Sequence, residues 1–421
     1  MKRIVLTVIL SALFFSVSAQ VKRVLFLGNS YTYVNDLPKL IRDLASSAGD
    51  SLFTDSNTPG SYTLGYSPLQ HLTNSVSIGK IRKGRWDYVV LQDQSQLPAI
   101  PALRDSCMLP ASVKLYDSVK RYNPCAQVLF YLTWGRRVGG VQCFVPNYCS
   151  VAFADFGQMQ DSLTRSYMLA ANLINQPVAP VGEAWRLVLD NTSIVLHGSD
   201  GSHPSINGSY LAACVFYSSI FKKPSSGLPF TGGLQAEVAA YLQKAADRIV
   251  FSNPALFNLW VNDVTSEFTY RMDNEMLTVD NLSANATTYL WDFGDGDSSS
   301  ESEPTHVYTQ SGTYRLRLQA CNECECAVSY KDINVVITST IPDDIEHYNP
   351  IVLTGPDSSG NIVFNGFTGD GVLRIYDVNG KHIKEISVKD GKATITQLPK
   401  SIYVWELLSD EKPVAKGKLR Y

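Results

Sequence analysis

Between residue 21 and about residue 258, short apolar runs alternate with longer segments in which apolar positions recur every three or four residues. The runs Arg23–Leu27, Tyr88–Gln92, Gln127–Leu132 and Val178–Val181 are continuous enough to be strands buried on both faces. The segments Asp36–Ala48, Pro110–Arg121, Phe156–Ile174, Ser205–Phe221 and Leu234–Val250 carry the helical period. That alternation predicts an α/β fold, a three-layer α/β/α sandwich around a parallel sheet, spanning residues 20–258. Beyond Phe257 the period falls to two and polar turns multiply. Tyr314-x-Leu316-x-Leu318 alternates as a half-buried strand does, and Asp295-Gly296 and Asn379-Gly380 are tight-turn pairs. Two small all-β modules are expected, over 259–338 and 343–421, with a polar linker from Thr338 to Asp344 between them.

The first nineteen residues read as a secretory signal peptide. Lys2 and Arg3 precede an apolar core from Ile4 to Phe15, and Val17-Ser18-Ala19 offers a small-residue cleavage site. No later stretch approaches the ~18 apolar residues of a membrane-spanning helix. The expected product is exported, with no transmembrane segment. A net charge of −3 gives no basic surface for nucleic acid. Export makes disulfides the first reading of the eight cysteines. Cys143 and Cys149 can close a small loop, Cys107 and Cys125 can brace two helix-flanking segments, and Cys214 sits in an apolar run as a buried thiol. Cys321-x-x-Cys324-x-Cys326 lacks the fourth ligand of a structural zinc site. Asp292, Asp295 and Asp297 suit turns better than calcium. Neither metal nor cofactor is expected.

The candidate chemistry sits at two separated points. The first predicted strand runs into Gly28-Asn29-Ser30, and far downstream stands Asp200-Gly201-Ser202-His203-Pro204-Ser205. A serine hydroxyl needs a base to activate it and a third group to orient the base. Here Asp200 and His203 come three residues apart, after Ser30 in chain order. The two motifs together resemble those of the SGNH (GDSL-like) hydrolases. The resemblance covers residues 20–258 and implies a serine esterase with Ser30 as nucleophile, His203 as base and Asp200 as its orienter. It further implies an oxyanion hole from the Ser30 N–H, a glycine N–H in a second block and an amide side chain in a third. Gly60 in Pro59-Gly60-Ser61-Tyr62 is the expected glycine, with Gly65 as fallback. The third block departs from the family, since Gln92-Asp93-Gln94-Ser95-Gln96 stands where Gly-x-Asn-Asp is usual. Gln94 is the expected donor, with Gln92 and Gln96 as rivals. Asn29 and Trp134, the latter in Thr133-Trp134-Gly135, are expected to line the substrate pocket. His197 is the rival base, and His71 reads as a surface or helix-start histidine.

The β-modules also carry resemblances. Trp291-Asp292-Phe293-Gly294-Asp295-Gly296, Pro304-Thr305-His306-Val307-Tyr308 and Gly312–Leu318 resemble a PKD domain, an immunoglobulin-like sandwich. Gly371–Lys381, Ser401–Leu407 and Lys416–Leu419 resemble the C-terminal sorting domain of the Bacteroidetes type IX secretion system, although Ser401 replaces a usual glycine. That resemblance implies contact with the secretion machinery and a destination at or beyond the surface of a Gram-negative cell. The combined expectation is a secreted esterase acting on acyl, above all acetyl, groups of carbohydrate or another small ester. A non-catalytic carbohydrate-binding protein on the same fold and a lipid esterase are the alternatives.

Overall fold

A computed structural model describes residues 21–337, 352–354, 361–365, 367–399 and 401–420. The predicted signal peptide and the whole of the predicted linker Thr338–Asp344 lie outside the described residues. Chain contacts divide the molecule into two units, residues 1–336 and 337–421.

The first unit begins with the α/β domain. Its sheet has the order β2-β1-β3-β4-β7, all parallel, from Lys22–Leu27 (β1), Leu52–Asn57 (β2), Tyr88–Leu91 (β3), Gln127–Tyr131 (β4) and Val178–Ala179 (β7). β1, β3 and β4 are the apolar runs, and nearly every residue in them is buried. β2 was missed because Leu52-Phe53-Thr54-Asp55-Ser56-Asn57 has two apolar residues and lies at the edge, every position at least partly exposed. Val178–Val181 is cut to two strand residues, because helix α7 (Val181–Asn191) starts where the strand was expected to end.

The helices cover both faces. α2 (Leu37–Ser47), α8 (Ile206–Phe221) and α9 (Ala236–Ser252) pack together on one side. α3 (Ser75–Arg82), α5 (Leu109–Tyr122) and α6 (Phe156–Leu173) pack on the other, with α7 between α6 and α8. α2 shows why these residues are helical. Asp36 caps it by accepting from the Lys39 N–H, Pro38 opens its first turn, and Leu37, Leu40, Ile41, Leu44 and Ala45 form one buried stripe. α8 is different: it is apolar on every side and almost wholly buried, so it is held by packing rather than by amphipathicity. Between β4 and α6 the chain inserts an antiparallel hairpin, β5 (Gly140–Val145) and β6 (Tyr148–Phe153), stapled by the expected Cys143–Cys149 disulfide.

The rest of the first unit is an antiparallel sandwich. One sheet contains β10 (Thr288–Asp292), β11 (Ser298–Ser299), β13 (Gly312–Cys321) and β14 (Cys326–Val335). The other contains β8 (Phe268–Asp273), β9 (Met276–Asn281) and β12 (Thr305–Val307). Leu316, Leu318 and Ala320 point inward on alternate positions of β13, toward Trp291 and Phe268. Two disulfides correct the cysteine reading. Cys125 pairs with Cys324, 199 residues away, and ties the sandwich to the start of β4; Cys321 pairs with Cys326. Cys107 is left as a half-buried free thiol and Cys214 as a buried one. The Cys107–Cys125 expectation failed because proximity in sequence was the only guide, whereas the bond follows the docking of the sandwich on the α/β domain.

The second unit, taken by itself, is also an antiparallel β-structure. One sheet has the order β15-β16-β19, from Val352–Thr354 (β15), Asn361–Asn365 (β16) and Lys392–Thr394 (β19); the other has the order β18-β17-β20-β21, with His382–Val388 (β18) and Lys412–Arg420 (β21) at its edges. β17 (Gly371–Tyr376) and β20 (Ile402–Ser409) put Leu373, Ile375, Tyr403, Trp405 and Leu407 into a separate core.

Candidate active site

Register decides where the loops meet. Leu27 pairs with Leu91 and Leu91 with Phe130, so β1, β3 and β4 end on one edge of the sheet. The strand order reverses between β1 and β3, and such a switch point opens a crevice at the carboxyl ends of the strands. Ser30 follows β1 there, and Gln92 follows β3.

Ser30 is the first residue of a one-turn helix, α1 (Ser30–Tyr33), so its N–H has no acceptor within that helix. Asn29 caps this turn, its side-chain Oδ1 accepting from the Tyr31 N–H. The Ser30 hydroxyl lies 2.9 Å from His203 Nε2, and His203 Nδ1 lies 2.5 Å from Asp200 Oδ2. Asp200 Oδ1 also accepts the N–H groups of Ser202 and His203, each at 2.9 Å. The turn that permits this needs Gly201, whose φ is +66°. Burial works against the Asp200 charge, but the imidazole and the two N–H groups outweigh it and hold the carboxyl down at about 2. An ionised Asp200 can only accept, so Nδ1 carries the proton and Nε2 keeps a lone pair facing the serine. The structure thus brings Ser30, His203 and Asp200 into one relay.

His197 is not part of it. It is buried, Nε2 donates to the Gly135 carbonyl at 2.9 Å, and its ring meets Phe156 and Trp185 edge-on. Burial lowers its pKa, which keeps it a neutral packing group.

Several expected pocket residues have other employment. Trp134 has no exposed surface: it stacks on Trp185 at 3.8 Å and on Tyr31 at 4.6 Å, and donates to the Ser202 carbonyl. It forms the floor beneath the relay, not a pocket wall, because a ring with faces this wide is worth more between two others. Asn29 is likewise buried, its amide donating to the Tyr62 carbonyl at 2.8 Å. That bond holds the Pro59–Tyr62 loop, and so the exposed Gly60, against the nucleophile turn. Gly65 is a packing position, since a Cβ there would come within 2.5 Å of Ala111.

The three glutamines also part company with expectation. Gln94 folds back on its own loop: its oxygen accepts the N–H groups of Gln96 and Leu97, and its nitrogen donates to Gln96 Oε1. Gln96 reaches the hairpin, donating to Gln142 and the Cys143 carbonyl. Gln92 is fully buried, and its Oε1 accepts both the Asn29 N–H at 2.8 Å and the Thr32 hydroxyl at 3.0 Å. It is a brace for the nucleophile turn. Gly28 makes room for it, as a Cβ at that position would lie 2.5 Å from Gln92 Oε1.

Sequence reasoning missed two other supports. His71 is fully buried rather than at the surface; Nε2 donates to the Gly28 carbonyl and Nδ1 accepts from Ser77. Burial lowers its pKa to about 4. Asp93 is also buried, accepts from the N–H groups of Leu64 and Gln94, and is pushed up to about 7 by desolvation. No periodicity marks either residue; only the closeness of the loops after β1, β2 and β3 gives them a role.

Fold and geometry together define an α/β domain that presents a Ser–His–Asp relay at its switch point, joined to antiparallel β-modules. Comparisons with known proteins match parts of the chain. Residues 270–337 match the family model of the PKD domain. The pre-pro-metalloprotease PrtV of Vibrio cholerae is 27% identical over 129 residues, which are 27% of this chain and 14% of PrtV. The chain therefore spans a small part of that relative. Among solved structures, a DUF4886 family protein from Bacteroides uniformis is 18% identical with a TM-score of 0.46, covering 55% of this chain and 96% of its own. A candidate SGNH hydrolase from Slackia heliotrinireducens is 24% identical with a TM-score of 0.38, covering 47% of this chain and 98% of its own.

Proposed function

We propose that the chain is a serine ester hydrolase of the SGNH type that removes acyl groups, above all acetyl groups, from carbohydrate. The observation that carries this reading is the continuous relay from Asp200 through His203 to the Ser30 hydroxyl. In the proposed reaction the Ser30 oxygen attacks the ester carbonyl while its proton passes to His203 Nε2. The tetrahedral oxyanion faces the Ser30 N–H and the Gly60 N–H. Its collapse breaks the C–O bond to the alcohol, which leaves with the proton from His203. Water then attacks the acyl-enzyme with His203 again as base, releasing the acid and restoring Ser30. Asp200 keeps the imidazole in the Nδ1–H form throughout.

Residues 1–19 and 343–421 complete the proposal as export signals, the second addressing the type IX machinery. The first segment lies outside the described residues, and the β-structure of the second is compatible with a sorting domain.

A second reading is a surface protein that binds acylated glycan without turnover. What favours it is the loop after β3, where the Gln92, Gln94 and Gln96 amides are all engaged within the protein. One experiment separates the two. Purified protein should hydrolyse p-nitrophenyl acetate, Ser30→Ala should remove nearly all of that activity while unfolding at the wild-type temperature, and an organophosphonate should label Ser30. Absence of turnover and of labelling in the folded wild type would select the binding protein.

A further inference from the structure

The first two residues after Gly135, in the loop between β4 and β5, are Arg136 and Arg137. Both stand beside the relay. Arg136 is half-buried and donates through Nη2 to Ser95 Oγ at 3.1 Å. The Tyr31 phenol, next to the nucleophile and edge-on to His203 at 5.6 Å, feels its charge. Arg137 donates its backbone N–H to the Gly201 carbonyl, and its guanidinium lies over Gly201, between Asp200 and Ser202. Among the described residues, no carboxylate oxygen comes within 4.0 Å of either guanidinium, although five other arginines have such a partner. The nearby acids are otherwise occupied. Asp200 holds His203, Asp93 is buried against Leu64 and Gln94, and Asp155 caps α6. A half-buried guanidinium without a counter-charge is costly unless something supplies one. Planar N–H forks suit carboxylates and sulfates.

We infer that Arg136 and Arg137 form an anion subsite, and that the ester hydrolysed at Ser30 belongs to an acidic glycan, one whose sugar bears a carboxylate or sulfate close to the scissile acyl group. This rests on the esterase reading and narrows its substrate class. The hairpin β5–β6 continues the same wall. Val141 and Val151 are exposed on it, as is Val138 just before it, and Phe144 packs edge-on against Tyr66 from the loop after β2. A sugar chain laid across this edge meets an apolar ledge on one side and two cations on the other. The anion then selects the substrate by binding, while the chemistry stays with Ser30, His203 and Asp200.

The test compares an acetylated polyuronate, an acetylated sulfated galactan, acetylated xylan as a neutral polymer, and p-nitrophenyl acetate. For wild type at low salt, kcat/KM on at least one acidic polymer should exceed that on acetylated xylan about tenfold or more. The acidic arm that leads identifies carboxylate or sulfate as the anion. The preference should fade as salt rises, because the contact is ionic. In Arg136→Gln/Arg137→Gln the acidic-to-neutral ratio should fall to about one through KM, and Arg137→Lys should recover part of it. Should the half-buried Arg136 prove necessary for folding, Arg137→Gln alone and the wild-type salt series still decide. An acidic-to-neutral ratio near one in wild type, or one unmoved by the substitutions, overturns the anion subsite alone. Turnover of p-nitrophenyl acetate surviving Ser30→Ala removes the esterase reading, and the subsite with it.

Discussion

Replacing Gln92 by Met keeps the volume at a fully buried position but deletes the oxygen that two donors share. The Asn29 N–H and the Thr32 hydroxyl are then left without an acceptor in the core. Each orphaned buried donor costs about 1–3 kcal/mol, so Gln92→Met should destabilise the α/β domain by about 2–6 kcal/mol. Thr32 is itself buried, and Thr32→Val replaces its hydroxyl by a methyl of similar shape. In the Gln92→Met background that second change removes one of the two orphans. The double variant should therefore regain about 1–3 kcal/mol relative to Gln92→Met, whereas Thr32→Val alone in wild type should be mildly destabilising. Urea unfolding followed by fluorescence reads this directly, since Trp134 and Trp185 are buried in the same domain. Turnover should drop with stability, because Asn29 precedes the nucleophile and loses the contact that holds it. A double variant less stable than Gln92→Met by the full cost of Thr32→Val would refute the reasoning, since the two donors would not then share one acceptor.

Three other outcomes are expected. His203→Ala should lower turnover by about 10³–10⁶ and Asp200→Asn by less, whereas His197→Ala should act mainly on thermal stability, as a packed ring is lost. Stability against pH should carry two opposed contributions. His71 falls from 6.5 unfolded to about 4 folded, so it binds fewer protons when folded; its contribution is complete above pH 6.5 and fades by about 3 kcal/mol as pH drops to 4. Asp93 rises from 3.8 to about 7, so stability is lost as pH climbs through that window, by about 4 kcal/mol. The two nearly cancel in wild type; urea unfolding between pH 4 and 7 should show stability falling with rising pH in His71→Gln and with falling pH in Asp93→Asn. Finally, Cys125→Ser/Cys324→Ser opens a cross-link of separation 199 and should cost about 5 kcal/mol by the chain-entropy estimate, read as a lower first unfolding transition in calorimetry.

What could be read without coordinates was whatever one segment declares by itself. β1, β3 and β4 are buried on both faces and therefore continuously apolar, and α2 carries one stripe; such patterns need no knowledge of neighbours. Asp200 and His203 were legible because one short turn holds both, and Ser30 because its turn ends the first strand. The edge strand β2 was invisible for the opposite reason, as an edge needs little apolar surface. Residues whose meaning is a distance were beyond reach. Gln92 braces Asn29 across 63 positions, His71 holds Gly28 across 43, and Cys125 finds Cys324 across 199. A buried polar group is worth its place only if its partner is close, and closeness between strands is set by register and docking, which local pattern does not encode. Trp134 makes the same point from the apolar side. Its ring was foreseen at the site, but only the packing of Trp185 behind it and Tyr31 before it decided that it would be floor and not wall.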